Sequence, residues 1–164
     1  MHASLRANGI IFHLSCPYTS PQNGKAERNL RTLNNSMQTL LIDASMPPKY
    51  WAEALAVATY LLNRSSSSSI RNAIPYFRLY NSYPTYDHLR VLDCLCYPNL
   101  QATSPHKLVP RSTACVFLGY PPDHKGCRCL DLSTRRIIIS RHVVFDESTF
   151  PFARETHPPS HQLL

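Results

Sequence analysis

In Ser15-Cys16-Pro17-Tyr18-Thr19-Ser20-Pro21-Gln22-Asn23-Gly24-Lys25-Ala26-Glu27-Arg28 a turn opens into a helix. Pro21 and Asn23-Gly24 punctuate the turn, and from Lys25 the apolar residues Leu30, Leu33, Met37, Leu40, Leu41 and Ala44 recur at helical spacing. Glu27, the first carboxylate of the chain, therefore falls in the first turn of an amphipathic helix. The helix dipole favours an acid there for structural reasons alone. A carboxylate at a helix start can also be aimed at a divalent cation. Upstream, the apolar and β-branched run Gly9 to Leu14 predicts a buried strand leading into the turn.

Downstream, Pro47-Pro48 ends this helix and begins a second. Its residues Tyr50, Trp51, Ala54, Leu55, Ala58, Leu61 and Leu62 form a broad apolar face suited to packing against the first helix. Ser65 to Ser69, five consecutive serines, predicts a flexible joint, and Pro75 to Tyr80 a short helical turn. Beyond Leu89 the pattern changes to short β-like runs at Leu89 to Tyr97, Ala114 to Tyr120, Gly126 to Leu132 and Ile137 to Phe145. Their close spacing predicts a small barrel. The proline-containing tail, residues 149–164, is expected to be disordered.

A length of 164 residues with 43% hydrophobic residues suffices for at least one core. Seventeen Lys and Arg against ten Asp and Glu give a net charge of +7, which favours polyanionic partners. No apolar run approaches the roughly 20 residues of a membrane span, and Met1 to Arg6 lacks a secretory apolar region. A soluble intracellular chain, nuclear or cytoplasmic, is the expectation. Cys94 and Cys96, like Cys127 and Cys129, have C-x-C spacing instead of the C-x-x-C of common zinc knuckles. Within a strand each pair would share one face, so buried reduced thiols are the expected state. With only four glycines there is no phosphate-cradling loop, and no nucleophile and base stand at a telling spacing.

The Ser-Cys-Pro-Tyr-Thr (15–19), Gln-Asn-Gly (22–24) and Ala-Glu-Arg (26–28) elements together resemble the end of the integrase catalytic core of Copia-type (Ty1/copia) retrotransposons. In that family a glutamate closes an Asp, Asp, Glu triad that holds Mg²⁺, and Glu27 is the matching position. The resemblance makes Glu27 the ancestral catalytic and metal-ligating residue. Both aspartates lie upstream in the family, whereas residues 1–26 contain neither Asp nor Glu. Two-metal chemistry needs several converging carboxylates. The expectation is a non-catalytic remnant that binds no cofactor productively, Mg²⁺ belonging to the ancestral enzyme only. A site rebuilt from Glu27 with Asp43, Asp87 or Asp131 would require an unprecedented geometry.

A second set of motifs comprises Leu89-Arg90-Val91, Lys107 to Ser112, Cys115 to Tyr120, Lys125-Gly126 and Ser140 to Glu147. It resembles the SH3-like domain that follows the core in the same polyproteins. Leu92-Asp93 departs from the family's Phe-Gly, and Cys127 from its aromatic residue. Asp93 would put a charge into an apolar strand, which is costly if buried and unpaired. The resemblance implies an α+β protein. Residues 1–64 would be a truncated RNase H-like integrase core, mainly two helices, 65–88 a linker with a short helix, and 89–148 an SH3-like β-barrel.

The ancestral activity so implied is DNA integration, and the candidate nucleic-acid-binding residues follow from charge and position. Lys25, Arg28 and Arg31 flank Glu27 on the helix, while Lys107, Arg111, Lys125, Arg128 and Arg141, with Arg135, Arg136 and His142, form a basic series in the barrel. Solvated surface charge is the competing reading of both groups. Neither His13 nor His142 has neighbours in sequence that mark it as a ligand or base. A rival function is an SH3-like module with a protein partner, which salt sensitivity would separate from DNA binding. Helices deprived of the sheet they once covered also predict self-association through an exposed apolar face.

Overall fold

The computed structural model describes residues 2–11, 16, 23–100, 110–121 and 125–156. It comprises two compact units, Met1–Thr32 and Leu33–Leu164. In the first, helix α1 (His2–Ala7) ends in a Schellman motif. The Gly9 N–H donates to the Arg6 carbonyl at 3.0 Å and the Ile10 N–H to that of Leu5 at 2.9 Å, with Gly9 at φ +69°. Gly9 to Ile11 thus forms a helix terminus where a strand was expected. The remainder of that expected strand, residues 12–14, lies outside the described residues.

Helix α2 (Gly24–Asp43) covers the segment whose periodicity predicts it and continues into the second unit, while residues 17–22 of the predicted turn lie outside the described residues. None of its residues is fully buried, although Met37, Leu40 and Leu41 pack against the core. A 3₁₀ turn, Pro48–Tyr50, then feeds α3 (Trp51–Leu62), which buries Ala54, Val57 and Ala58 and leaves Trp51 55% exposed. The principal partner of α3 is a strand, not α2. The serine stretch is ordered: the Ser67 N–H donates to the Ala73 carbonyl at 3.0 Å around a 3₁₀ turn, Ser68–Ile70. Helix α4 (Pro75–Tyr80) follows as predicted.

Five antiparallel strands come next: β1 (Leu95–Pro98), β2 (Cys115–Gly119), β3 (Cys127–Asp131), β4 (Ile137–Ser140) and β5 (Val143–Asp146). The sequence run Ile137 to Phe145 is therefore two strands, not one. Their spatial order is β4-β3-β2-β1-β5, which puts β4 and β5 at opposite edges. In a flat sheet those edges would stand about 19 Å apart, four spacings of roughly 4.8 Å. Yet only Arg141 and His142 link Ser140 to Val143, a span of at most about 11 Å. The sheet must curl until the ends of its two edge strands meet at this corner, which gives it the form of a small barrel. Asn99 fastens the corner, its N–H donating to the His142 carbonyl at 2.8 Å.

All five residues of β2 are buried, because both of its faces are covered. Cys115 and Phe117 join Cys94, Cys96 and Cys129 in the barrel interior. Val116 and Leu118 point the other way, into a core shared with Ala54, Val57, Met46 and Phe152. So the apolar face of α3 is matched by the outer wall of the barrel. Gly119 permits this approach: at φ +106°, a Cβ there would stand 2.5 Å from Val57 Cγ2. Phe152 belongs to α5 (Pro151–Thr156), a helix inside the segment expected to be disordered, and it is 2% exposed. Residues 157–164 lie outside the described residues.

The strand predicted over Leu89 to Tyr97 begins only at Leu95, and Asp93 explains why. The Asp93 N–H donates to the Phe117 carbonyl and the Phe117 N–H to the Cys94 carbonyl, both at 3.0 Å, with Asp93 at φ +69°. Two residues opposite one, the first left-handed, is a G1 bulge, whose first position favours glycine. Glycine in the family motif answers that backbone requirement. Asp93 meets it because aspartate tolerates this conformation better than most residues. It sits in a bulge, not in a strand, and is fully buried.

Among the barrel thiols, burial pushes Cys94 and Cys115 up to about 12 and Cys127 to about 11, from an ordinary value of 9.0. A hydrogen bond shared with Cys129, together with burial, also holds Cys96 well above that value. The unfolded chain loses these protons near pH 9 while the folded chain keeps them. Thiol burial therefore favours folding up to about pH 9 and opposes it as pH rises toward 11–12. Urea denaturation in reductant should show stability falling across this window by about 1 kcal/mol per pH unit for each thiol, with a shallower fall in Cys115→Ala. Gly119→Ala should cost about 2–4 kcal/mol. In a double-mutant cycle with Val57→Ala, part of that cost should vanish as the clash is relieved.

Candidate nucleic-acid interface

Lys25, Glu27, Arg28 and Arg31 occupy the first turns of α2, where all four are exposed. Arg31 follows Glu27 by four residues and Arg28 by three, so the three share one helix face. Among the described residues, no group of three or more His, Cys, Asp or Glu side chains is placed to hold a metal ion. The carboxylates considered alongside Glu27, namely Asp43, Asp87 and Asp131, belong to the second unit. Asp43 is the exposed last residue of α2. Asp131 secures the β3–β4 turn, its Oδ1 accepting from the Ser133 hydroxyl at 2.7 Å and its Oδ2 from that of Thr134 at 2.9 Å. These hydrogen bonds hold the Asp131 carboxyl at about 2, below its ordinary 3.8.

The barrel residues divide more sharply. Arg111, Arg141 and His142 come together with Tyr97, Asn99 and Ser112 around an open groove of ≈ 510 Å³. Backbone hydrogen bonds explain the convergence. Immediately beyond β1, the Asn99 N–H binds the His142 carbonyl and the Leu100 N–H binds the Arg111 carbonyl, each at 2.8 Å. Arg111 and His142, 31 residues apart in sequence, are thereby fixed to adjacent positions on one strand extension. Tyr97 is paired across the sheet with Val144, which is 71% exposed. No carboxylate lines the groove among the described residues.

The other candidates lie outside it. Arg128 turns toward α3, 3.5 Å from Glu53 Oε1, with both side chains mostly covered. Lys125 is exposed just before β3 and does not line the groove. Arg135 borders a different groove, beside Lys49 and Tyr50. Lys107 and His13 lie outside the described residues. Tyr97 and Asn99, which do line the basic groove, were not singled out by charge. Alternation along β1 was the available signal, since Cys96 faces inward and its neighbour Tyr97 must therefore face outward.

A second polar and aromatic cluster anchors the segment after α4. The Tyr60 hydroxyl lies 2.6 Å from His88 Nε2, and its ring stacks on Tyr120 at 4.9 Å between centroids. The Tyr120 hydroxyl donates to the His88 carbonyl and accepts from the Arg90 N–H, each at 3.0 Å. These bonds tie the approach to β1 onto α3 and the end of β2, and so keep the barrel's entry strand in register.

Residues 94–158 match the family model of the retroviral polymerase SH3-like domain, in agreement with the curled five-stranded sheet. The chain is 44% identical over 146 residues, 89% of its length, to the "Retrovirus-related Pol polyprotein from transposon RE1" of Arabidopsis thaliana. To that from transposon RE2 of the same plant it is 40% identical over 149 residues, 91% of the chain. To that from transposon TNT 1-94 of Nicotiana tabacum it is 35% identical over 142 residues, 87% of the chain. Together these matches support a fragment of a Copia-type retrotransposon Pol polyprotein. The chain spans about a tenth of these relatives, 10%, 10% and 11% of their lengths. No helix among the described residues is long and apolar enough to cross a membrane.

Arg128 is thus set apart from Arg111 and Arg141 by what it touches. Arg128→Gln should lower folding stability by about 1 kcal/mol in chemical denaturation, with Glu53→Gln giving a similar loss and the double variant little more. The same Arg128→Gln protein should keep whatever affinity the barrel has for polyanions, measured beside Arg141→Gln.

Proposed function

We propose that this chain is derived from the integrase part of a Copia-type Pol polyprotein and acts as a nucleic-acid-binding piece without catalysis of its own. In this reading α2 and α3 descend from the last helices of the RNase H-like core, and Glu27 occupies the place of its closing glutamate. The gathering of Arg111, Arg141 and His142 in a groove lined by no carboxylate is the observation that carries the binding half of the proposal. Three basic side chains on a fixed barrel corner suit a phosphate backbone, whose neutralisation releases counterions. Lys25, Arg28 and Arg31 add a second basic element on α2. The non-catalytic half draws on chemistry, since two-metal transesterification requires several converging carboxylates. Mg²⁺ would belong to the ancestral enzyme.

Duplex DNA binding across a salt series tests the proposal. The full chain should bind at low salt and weaken steeply as salt rises. Replacing both Arg111 and Arg141 with Gln should weaken binding and reduce the logarithmic salt slope by about 2, roughly 0.9 for each lost phosphate contact. Neutralising Lys125 should do less. No binding of duplex or single-stranded nucleic acid at low salt, or binding indifferent to salt and to both arginines, would exclude the proposal in favour of an SH3-like module with a protein partner.

A further inference from the structure

We propose that the groove of Tyr97, Arg111 and Arg141 takes unpaired nucleotides, a base stacking on the Tyr97 ring with its flanking phosphates on the arginines. This rests on the groove binding nucleic acid and narrows that reading from polyanions at large to single strands. The reason lies in what occupies the floor between the charges. Tyr97 and Val144 are cross-strand partners on the outer face of the barrel, 38% and 71% exposed, so an apolar platform lies open to solvent between cationic walls.

A platform of that kind has no use for a duplex, whose bases turn their faces to one another and present only phosphates and edges. An unpaired base presents a π-face, and every base has one, so stacking on tyrosine is strong and sequence-tolerant. Arg111 and Arg141 reach the groove from different loops, and phosphates on either side of one stacked base could meet them separately. Asn99 and Ser112 add side chains that donate and accept hydrogen bonds within reach of a base edge. Elsewhere in the same unit, Tyr60 stacks on Tyr120 and Tyr76 lies against Tyr80, while the exposed Tyr80, Tyr83 and Tyr86 stand outside the basic groove. A proline-rich peptide would need an aromatic-lined groove. Here one ring stands among three basic residues.

Fluorescence anisotropy of the full chain with a labelled, non-pairing single strand and with the same sequence as a duplex, at low and at physiological salt, tests this. The single strand should bind more tightly. Tyr97→Ala should weaken single-strand binding about tenfold while changing duplex binding less than about twofold, and Tyr97→Phe should retain the preference. Arg141→Gln should weaken both. Unchanged thermal melts would exclude unfolding as the cause. A Tyr97→Ala effect that is absent, or equal on both forms, overturns the inference. If duplex binding depends on Arg111 and Arg141 but no form responds to Tyr97, this inference falls and the proposed function stands. Failure to bind either form at low salt removes both.

Discussion

Strand β2 has no solvent face, and that constraint organises the unit Leu33–Leu164. A strand buried on both sides must find apolar partners twice, and Cys115-Val116-Phe117-Leu118-Gly119 does so by alternation. One set of side chains fills the barrel interior, where four thiols pack around Phe117. The other set draws α3 onto the outside of the barrel. The close approach depends on Gly119, where any side chain would occupy the space of Val57. Phe152 then closes the same outer core from the far end of the chain. The helices and the barrel in this unit consequently share one core, and neither could be removed without exposing the other's apolar face.

Closure of the barrel also creates the basic groove. The corner Arg141-His142 must be short, because it joins edges that a flat sheet would hold apart, and a tight corner leaves its side chains outside the barrel. Backbone bonds from Asn99 and Leu100 bring Arg111 beside it. The charges are therefore positioned by main-chain hydrogen bonds and not by salt bridges of their own. Arg128 shows the contrast: its charge is spent on Glu53, across the contact between α3 and β3.

Much of this architecture was legible in the sequence, for identifiable reasons. Helix α2 announced itself by strong helical periodicity after Asn23-Gly24, β2 by an apolar run, and β3 by a short segment between turn-prone residues. The start of β1 was hidden, because nothing in Leu92-Asp93-Cys94 marks a bulge unless the residue is glycine. The break between β4 and β5 was equally hidden, since the linking Arg141-His142 carries none of the usual turn residues. Helix α5 escaped notice because proline suggested disorder, although Pro151 sits at a helix start, where proline is well tolerated. Within the site, charge found Arg111 and Arg141 but not Tyr97, which becomes visible only once the strand's parity is known.

The two departures from the family motif mark how much change the barrel tolerates. Asp93 keeps the backbone geometry of glycine at the cost of burying a carboxylate. Cys127 occupies a half-buried position at the start of β3, where a smaller side chain leaves the strand pairing with β4 in place. Neither lies in the groove. All residues that line the groove belong to the unit Leu33–Leu164, as do the core residues that hold its strands. Glu27 belongs to the other unit. The groove is thus built and held by one unit, and no carboxylate lines it among the described residues.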